Sequence, residues 1–196
     1  MKTLIVQFTP RSGSTTAQLV SHLRAQLQGP VEVIDLATRA PAPLTTAAVD
    51  AYVKRHYAGQ PLSAEEAQAL AVMDGDVEKM LAADLLVTAA PMHNFAMPGP
   101  LKTFLDGVIQ KGRTWDADAS GYHGLMKGKK ALALFSSGGV YEAGGGYDHY
   151  SPLIKHLFGF MGYDGRVIAA MGTNQDAAAA LARARAEIDA WVKTLG

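Results

Sequence analysis

The chain contains no cysteine. Disulfides, thiolate metal sites, iron–sulfur clusters and a cysteine nucleophile are therefore excluded together. There is no excess of either charge: 18 Lys and Arg balance 18 Asp and Glu, for a formal net charge of zero. A balanced chain has no electrostatic footprint for nucleic acid or for an anionic membrane surface. No apolar run is long enough for a transmembrane helix. The first residues, Met1–Phe8, carry one charge and then a strand-like run. That run is too short for a signal-peptide core and has no small-residue cleavage site. These absences predict a soluble cytoplasmic protein. The familiar hydrolase signatures G-x-S-x-G and H-E-x-x-H are also missing. Gly124–Lys130 has the glycines and lysines of a phosphate loop, but the spacing fails and a strand follows where a helix is needed.

What remains is a chain of 196 residues that is 48% hydrophobic, enough for one full core and well above the range of disorder. That length fits a single domain spanning 1–196. Short apolar runs alternate with longer helical patterns. Strands are predicted at Lys2–Phe8, Val31–Leu36, Asp84–Ala90, Lys130–Phe135 and Gly165–Met171. Helices are predicted at Thr15–Gln28, Ser63–Ala82, Gly99–Lys111, Tyr150–Met161 and Asp176–Leu195. Ser63 and Glu66 form a capping-box pattern at the start of the second helix. Residues 37–61, rich in Ala, Pro and Thr, read as an irregular excursion. Gly112–Gly128 reads as a long loop, and Ser136–Tyr147 as a glycine-rich one.

Strands apolar throughout are buried on both faces, which predicts a parallel sheet with helices on both sides. The expected class is α/β: a flavodoxin-like three-layer sandwich with a five-stranded parallel sheet in the order 2-1-3-4-5. Such sheets bind ligands beyond the carboxyl ends of their strands, so three loops carry the functional weight.

The first loop is Thr9-Pro10-Arg11-Ser12-Gly13-Ser14-Thr15-Thr16. Hydroxyls on Thr9, Ser14, Thr15 and Thr16, a guanidinium on Arg11 and unpaired N–H groups at a helix start suit a phosphate monoester. Ser and Thr also crowd ordinary helix caps, so a plain N-cap stands as the alternative. The second loop, Ala90–Pro100, exposes Met92, Phe95 and Met97 unless something covers them. A flat aromatic ring is one such cover, and the core or a subunit contact is the other. In the third, Ser136-Ser137-Gly138-Gly139-Val140-Tyr141, the paired glycines permit close backbone approach, and their N–H groups suit a site of developing negative charge. A flexible turn is the plain alternative, since Gly144-Gly145-Gly146 shows the region to be glycine-rich in any case.

Taken together, the loops resemble the FMN-dependent NADH-azoreductase family, among the flavodoxin-like NAD(P)H:quinone oxidoreductases. The closest stretch is Ala90–Trp115, APMHNFAMPGPLKTFLDGVIQKGRTW. The segment GLMKGKKALALFSSGGVY, residues 124–141, resembles the family's fourth strand and glycine loop. The resemblance implies tightly bound FMN, with Thr9, Arg11, Ser14, Thr15 and Thr16 at its phosphate. It implies Pro91, Met92, His93, Asn94 and Phe95 along the flavin, and Ser136, Ser137, Gly138 and Gly139 at its other edge. It further implies NADH or NADPH as donor, a quinone or azo compound as acceptor, a ping-pong two-electron cycle and a homodimer. Three departures stand at the mouth of the site: His93 replaces the family's usual Tyr, Ser137 replaces a frequent Arg, and the first loop has the shorter Thr-Pro-Arg form.

The flavin does the chemistry in such enzymes, so no protein nucleophile is expected. His93 is a candidate proton donor. Tyr122 and Tyr141, with Tyr147, are candidate substrate walls. His149 and His156 lie on one helix without a third ligand in view, and no metal site is expected. The helix Tyr150–Met161 is apolar nearly all round and implies deep burial or a subunit interface. The alternative to an enzyme is a flavodoxin-type electron carrier or a flavin-binding regulatory subunit. Carriers of that kind are usually strongly acidic, unlike this chain.

Overall fold

The computed structural model describes residues 1–142 and 146–195. In chain order the elements are β1 (Thr3–Gln7), α1 (Thr15–Arg24), β2 (Val31–Asp35), α2 (Thr46–His56), α3 (Ala64–Ala82), β3 (Leu85–Ala89), α4 (Gly99–Val108), β4 (Trp115–Asp118), β5 (Gly121–Gly124), β6 (Lys130–Ser137), α5 (Tyr150–Met161), β7 (Asp164–Met171) and α6 (Thr173–Val192). Five strands form one sheet in the order β2-β1-β3-β6-β7, and every pair in it is parallel. Leaving out the small β4–β5 hairpin, this is the expected order 2-1-3-4-5.

Alternate residues along a strand point to opposite faces, and the core divides accordingly. Leu4, Val6, Leu86, Ala131, Ala133 and Phe135 pack with Val77 and Met80 of α3, Leu101 and Phe104 of α4, and Ile154 and Phe158 of α5. Ile5, Leu85, Val87, Leu132 and Leu134 pack with Leu19 and Leu23 of α1 and with Ala180, Ala184 and Ile188 of α6. Phe135 stacks on the buried Tyr150 with ring centroids 4.5 Å apart, a geometry that contributes about 0.5–1.5 kcal/mol beyond area burial. Burial pushes the Tyr150 phenol above its usual range.

Local signals set the helix ends. Ser63 and Glu66 complete the capping box of α3 in both directions, a device that stabilises by about 1 kcal/mol. Gly162, at φ +89°, ends α5 in the left-handed conformation that favours glycine. α6 is interrupted at Asp176, whose carboxylate accepts a hydrogen bond from the Ala179 N–H at 2.9 Å. The long part of that helix thus starts where the sequence suggested, after one extra turn.

Two stretches expected to be irregular are ordered. Within 37–61 lies α2, capped by Thr45. Its Ala48 and Ala51 bury against Leu70 and Met73 of α3. Two ion pairs, Lys54–Glu66 at 2.8 Å and Arg55–Asp74 at 2.7 Å, join the helices. The loop 112–128 contains the antiparallel β4–β5 hairpin. Thr114 anchors its start, donating to the Val108 carbonyl and accepting from the Gln110 N–H. The third difference is that β6 runs through Ser137, so Ser136 and Ser137 are strand residues. Ala143, Gly144 and Gly145 of the glycine-rich stretch lie outside the described residues.

α5 is less uniformly apolar in its surroundings than its composition suggests. Tyr150, Ile154, Phe158 and Met161 are buried, Lys155 and His156 face solvent, and Leu153, Leu157 and Phe160 are half-buried. Phe160 also meets Trp115 at 5.0 Å and Tyr122 at 5.9 Å, tying the hairpin to the helix. Among the described residues no helix is long and apolar enough to cross a membrane.

Two glycines give opposite predictions. A Cβ on Gly124 would lie 2.2 Å from the Gly162 N and the Met161 carbonyl carbon. Gly124→Ala should destabilise by about 1–3 kcal/mol through overpacking and alter the near-ultraviolet signal of Trp115. Gly75, exposed within α3, has open space where a methyl group would lie. Gly75→Ala should stabilise by about 0.5–1 kcal/mol. Denaturant unfolding checks both.

Candidate flavin site

The register brings the carboxyl ends of three strands together: Gln7 lies beside Ala89, and Ala89 beside Leu134. The three loops therefore leave from one edge of the sheet, and hydrogen bonds bind them to each other. The hydroxyls of Thr16 and Ser136, both buried, meet at 2.8 Å. The Met92 N–H donates to the Ser136 carbonyl at 2.8 Å. Ser136 thus links all three loops.

In the first loop, Gly13 adopts φ +69° and Ser14 caps α1 by accepting from the Ala17 N–H. Thr15 and Thr16 are buried, Thr9 is half-buried and Arg11 is exposed. The N–H groups of Gly13, Thr15 and Thr16 donate to no acceptor among the described residues. Unpaired donors at the positive end of a helix form an anion site. The plain capping role and the anion role coexist, because Ser14 caps with its side chain while the neighbouring N–H groups stay available.

The second loop makes a tight turn not evident in the sequence. His93 and Ala96 exchange backbone hydrogen bonds at 2.9 and 3.1 Å. The two residues between them have positive φ, Asn94 at 45° and Phe95 at 70°. This is a type I′ turn with an aromatic residue where glycine is usual. Left-handed backbone at a non-glycine residue costs about 1–2 kcal/mol, and such strain concentrates at functional sites. Surrounding contacts hold it in place. The His149 N–H donates to the Phe95 carbonyl at 3.0 Å, and the Phe95 ring lies 5.8 Å from Tyr141 and 5.3 Å from Tyr147. Neither the Asn94 nor the Phe95 N–H finds an acceptor among the described residues. His93 is exposed, with Phe8 edge-on to its ring. Pro91 and Met92 are half-buried, while Met97 is buried in the core.

The third loop is held by residues absent from the sequence-derived set. Gly172, after β7, donates its N–H to the carbonyls of Ser137 and Gly139, and the Asn174 N–H donates to that of Gly138. Thr173 donates its hydroxyl to the Ser137 carbonyl, and Ser137 donates its own to that of Gly139. A Cβ on Gly138 would lie 2.5 Å from the Asn174 amide, and one on Gly139 would lie 2.7 Å from the Tyr141 ring. Both clashes are with side-chain ends that can move aside, so it is the hydrogen bonds from Gly172, Thr173 and Asn174 that hold the turn. The carbonyls of Gly138 and Gly139 are occupied, and their N–H groups donate to nothing among the described residues. The general rule that ligands sit beyond strand ends includes the loop after the fifth strand, and that was the available signal for Gly172–Asn174.

Not every candidate joins the site. Tyr141 and Tyr147 form an aromatic group with Phe95. Tyr122 is 75% exposed and packs on Trp115 and Phe160, so within one chain it belongs to the hairpin. His149 precedes α5 as its N-cap and His156 is exposed on that helix. No group of three metal-ligating side chains occurs among the described residues.

Comparison with known proteins identifies the fold and its relatives. A family model described as a flavodoxin-like fold matches residues 1–192. The chain belongs to that family. It is 37% identical to an FMN-dependent NADH:quinone oxidoreductase of Laribacter hongkongensis, over 90% of each chain. It is equally similar, over 97% of each chain, to a protein of that name from Azospirillum brasilense. In fold it resembles the crystal structure of an FMN-dependent NADH-azoreductase from Bacillus anthracis in complex with FMN. The TM-score there is 0.88 at 24% identity, over 100% of this chain and 99% of that one.

The positive φ at Phe95 inverts the usual ranking of alanine over glycine. Both Phe95→Ala and Phe95→Gly lose the ring contacts, but only glycine relieves the backbone. Phe95→Gly should be more stable than Phe95→Ala by about 1 kcal/mol, measured by urea unfolding of the two variants.

Proposed function

We propose that this chain is an FMN-dependent NADH:quinone oxidoreductase that also accepts azo compounds. The observation that carries the reading is the meeting of three loops at one sheet edge with unpaired N–H groups, in a chain so similar to enzymes of that name. The residues present fit the group. The N–H groups of Gly13, Thr15 and Thr16, with the Ser14 cap and nearby Thr9 and Arg11, would hold the phosphate. Asn94 and Phe95 offer backbone donors for one edge of the ring, and Pro91, Met92 and His93 would flank it. Gly138 and Gly139, below Ser136 and Ser137, offer donors for the side where negative charge builds. When bound, FMN supplies a two-electron carrier that takes hydride from a nicotinamide and passes it to an acceptor.

The protein's own part is positioning and exclusion of water. Phe95, Tyr141 and Tyr147 form an apolar wall against which a flat donor or acceptor would lie. A single wall implies that nicotinamide and acceptor occupy it in turn, a ping-pong order. His93, exposed at the start of the strained turn, is placed to give a proton to the acceptor. The two packed clusters support a three-layer sandwich, with α1 and α6 over one face of the sheet and α3, α4 and α5 over the other, as one domain across 1–196. The half-buried stripe Leu153, Leu157 and Phe160, beside the exposed Tyr122, supports a homodimer, with Tyr122 reaching substrate from the partner.

Purified protein should be yellow, and added FMN should rebind after stripping. Steady-state NADH oxidation should continue with a quinone present. A single stoichiometric reduction without turnover would identify a carrier instead, and failure to bind FMN would remove the reading altogether. Light scattering should give twice the chain mass, whereas a monomer at every concentration would refute the dimer.

A further inference from the structure

Asp148 is 2% exposed, and it stands between two residues that hold the strained turn. Before it, the Tyr147 ring lies 5.3 Å from that of Phe95. After it, the His149 N–H donates to the Phe95 carbonyl at 3.0 Å. One oxygen of the Asp148 carboxylate, Oδ1, accepts from the N–H groups of Tyr150 at 3.0 Å and Ser151 at 2.8 Å. Asp148 thus supplies the side-chain cap of α5 that His149 does not. The start of that helix lies against the Phe95 turn.

The other oxygen, Oδ2, is buried and has no hydrogen-bond partner. Among the described residues it is the one carboxylate oxygen in that condition, and Asp148 forms no ion pair there. Burying an unpaired charge is unfavourable. Capping alone does not require it, because Ser, Thr or Asn accepts the same hydrogen bonds without a charge. The positive end of the helix offsets only about half a unit charge. A net negative charge therefore stays buried behind the turn whose Asn94 and Phe95 N–H groups are unpaired.

We infer that Asp148 lowers the reduction potential of the ring that this turn holds. The inference rests on the flavin reading. Charges in a buried setting are weakly screened. At an effective dielectric of about 20, a unit charge about 10 Å from another still shifts an equilibrium by roughly tenfold. A ring that gains negative charge on reduction is therefore disfavoured in its reduced form, and it gives its electrons to an acceptor more readily. Without the carboxylate, the positive end of α5 would act in the opposite sense. Asp148 is a positioning residue in this role. It fixes the first turn of α5, and its charge acts on the ring across the Phe95 turn.

The test compares Asp148→Asn and Asp148→Ser with the wild-type chain. Both variants keep a capping oxygen and remove the charge. The FMN-loaded proteins are titrated against a reference dye of known potential. Flavin fluorescence follows binding of oxidised FMN to the stripped chains. D148N and D148S should each favour the reduced form by about tenfold, an upward shift of about 30 mV for a two-electron couple. Oxidised FMN should bind within about twofold of wild type. A residue that only caps α5 predicts no shift in either variant, and that result overturns the inference, as does a downward shift. A rise produced by weaker binding of oxidised FMN alone marks lost positioning and overturns the charge role. Where one variant does not fold, the other decides; where both fold, a rise in one alone overturns the inference. If the wild-type chain binds no FMN, the flavin reading fails and this inference falls with it. If it binds FMN and the potentials agree, only this inference fails.

Discussion

Parallel pairing of β1, β3 and β6 is the constraint from which the rest follows. Parallel strands all end at the same edge, and helices must return the chain to begin the next strand. Three loops far apart in sequence are thereby forced to leave side by side. The register that sets Gln7 beside Ala89 and Ala89 beside Leu134 brings the hydroxyls of Thr16 and Ser136 within a hydrogen bond. No single loop makes a binding site. The helix start offers donors for an anion, the strained turn offers donors for a ring edge, and the glycine pair offers a third set. Their meaning lies in their adjacency, which belongs to the sheet.

Much of this was legible in the sequence, for a physical reason. Strands such as Leu85–Ala89 are buried on both faces, so an uninterrupted apolar run announces them. The capping box at Ser63 and Glu66 is likewise local and readable. α2 was hidden because its Ala- and Thr-rich stretch has little helical signal of its own. Its order comes from packing Ala48 and Ala51 on α3 and from the Lys54–Glu66 and Arg55–Asp74 pairs. The β4–β5 hairpin was hidden because its strands of four residues lack clear alternation. Trp115 and Tyr122 find their partner, Phe160, on a distant helix. In both cases tertiary contact supplies what local propensity does not.

The site shows the same division more finely. Residue types around Met92–Phe95 and Gly138–Gly139 marked where a ligand would lie, and the family resemblance marked which one. The conformations were not legible. Nothing in His93-Asn94-Phe95-Ala96 shows that an aromatic residue is held at positive φ, because its restraint comes from His149, Tyr141 and Tyr147. Likewise, Gly138 and Gly139 read as flexible in isolation, yet the N–H groups of Gly172 and Asn174 hold their carbonyls in place. The local rule that glycine loosens a chain is overruled by the partners that hold it.

The bond between Thr16 and Ser136 spans 120 residues of chain. A nascent polypeptide can form α1 early, but its cradle has no third wall until β6 has left the ribosome and paired with β3. Contacts of such long range are also late and slow to form. A ligand held by all three loops, such as the proposed flavin, would therefore find its site only after nearly complete synthesis.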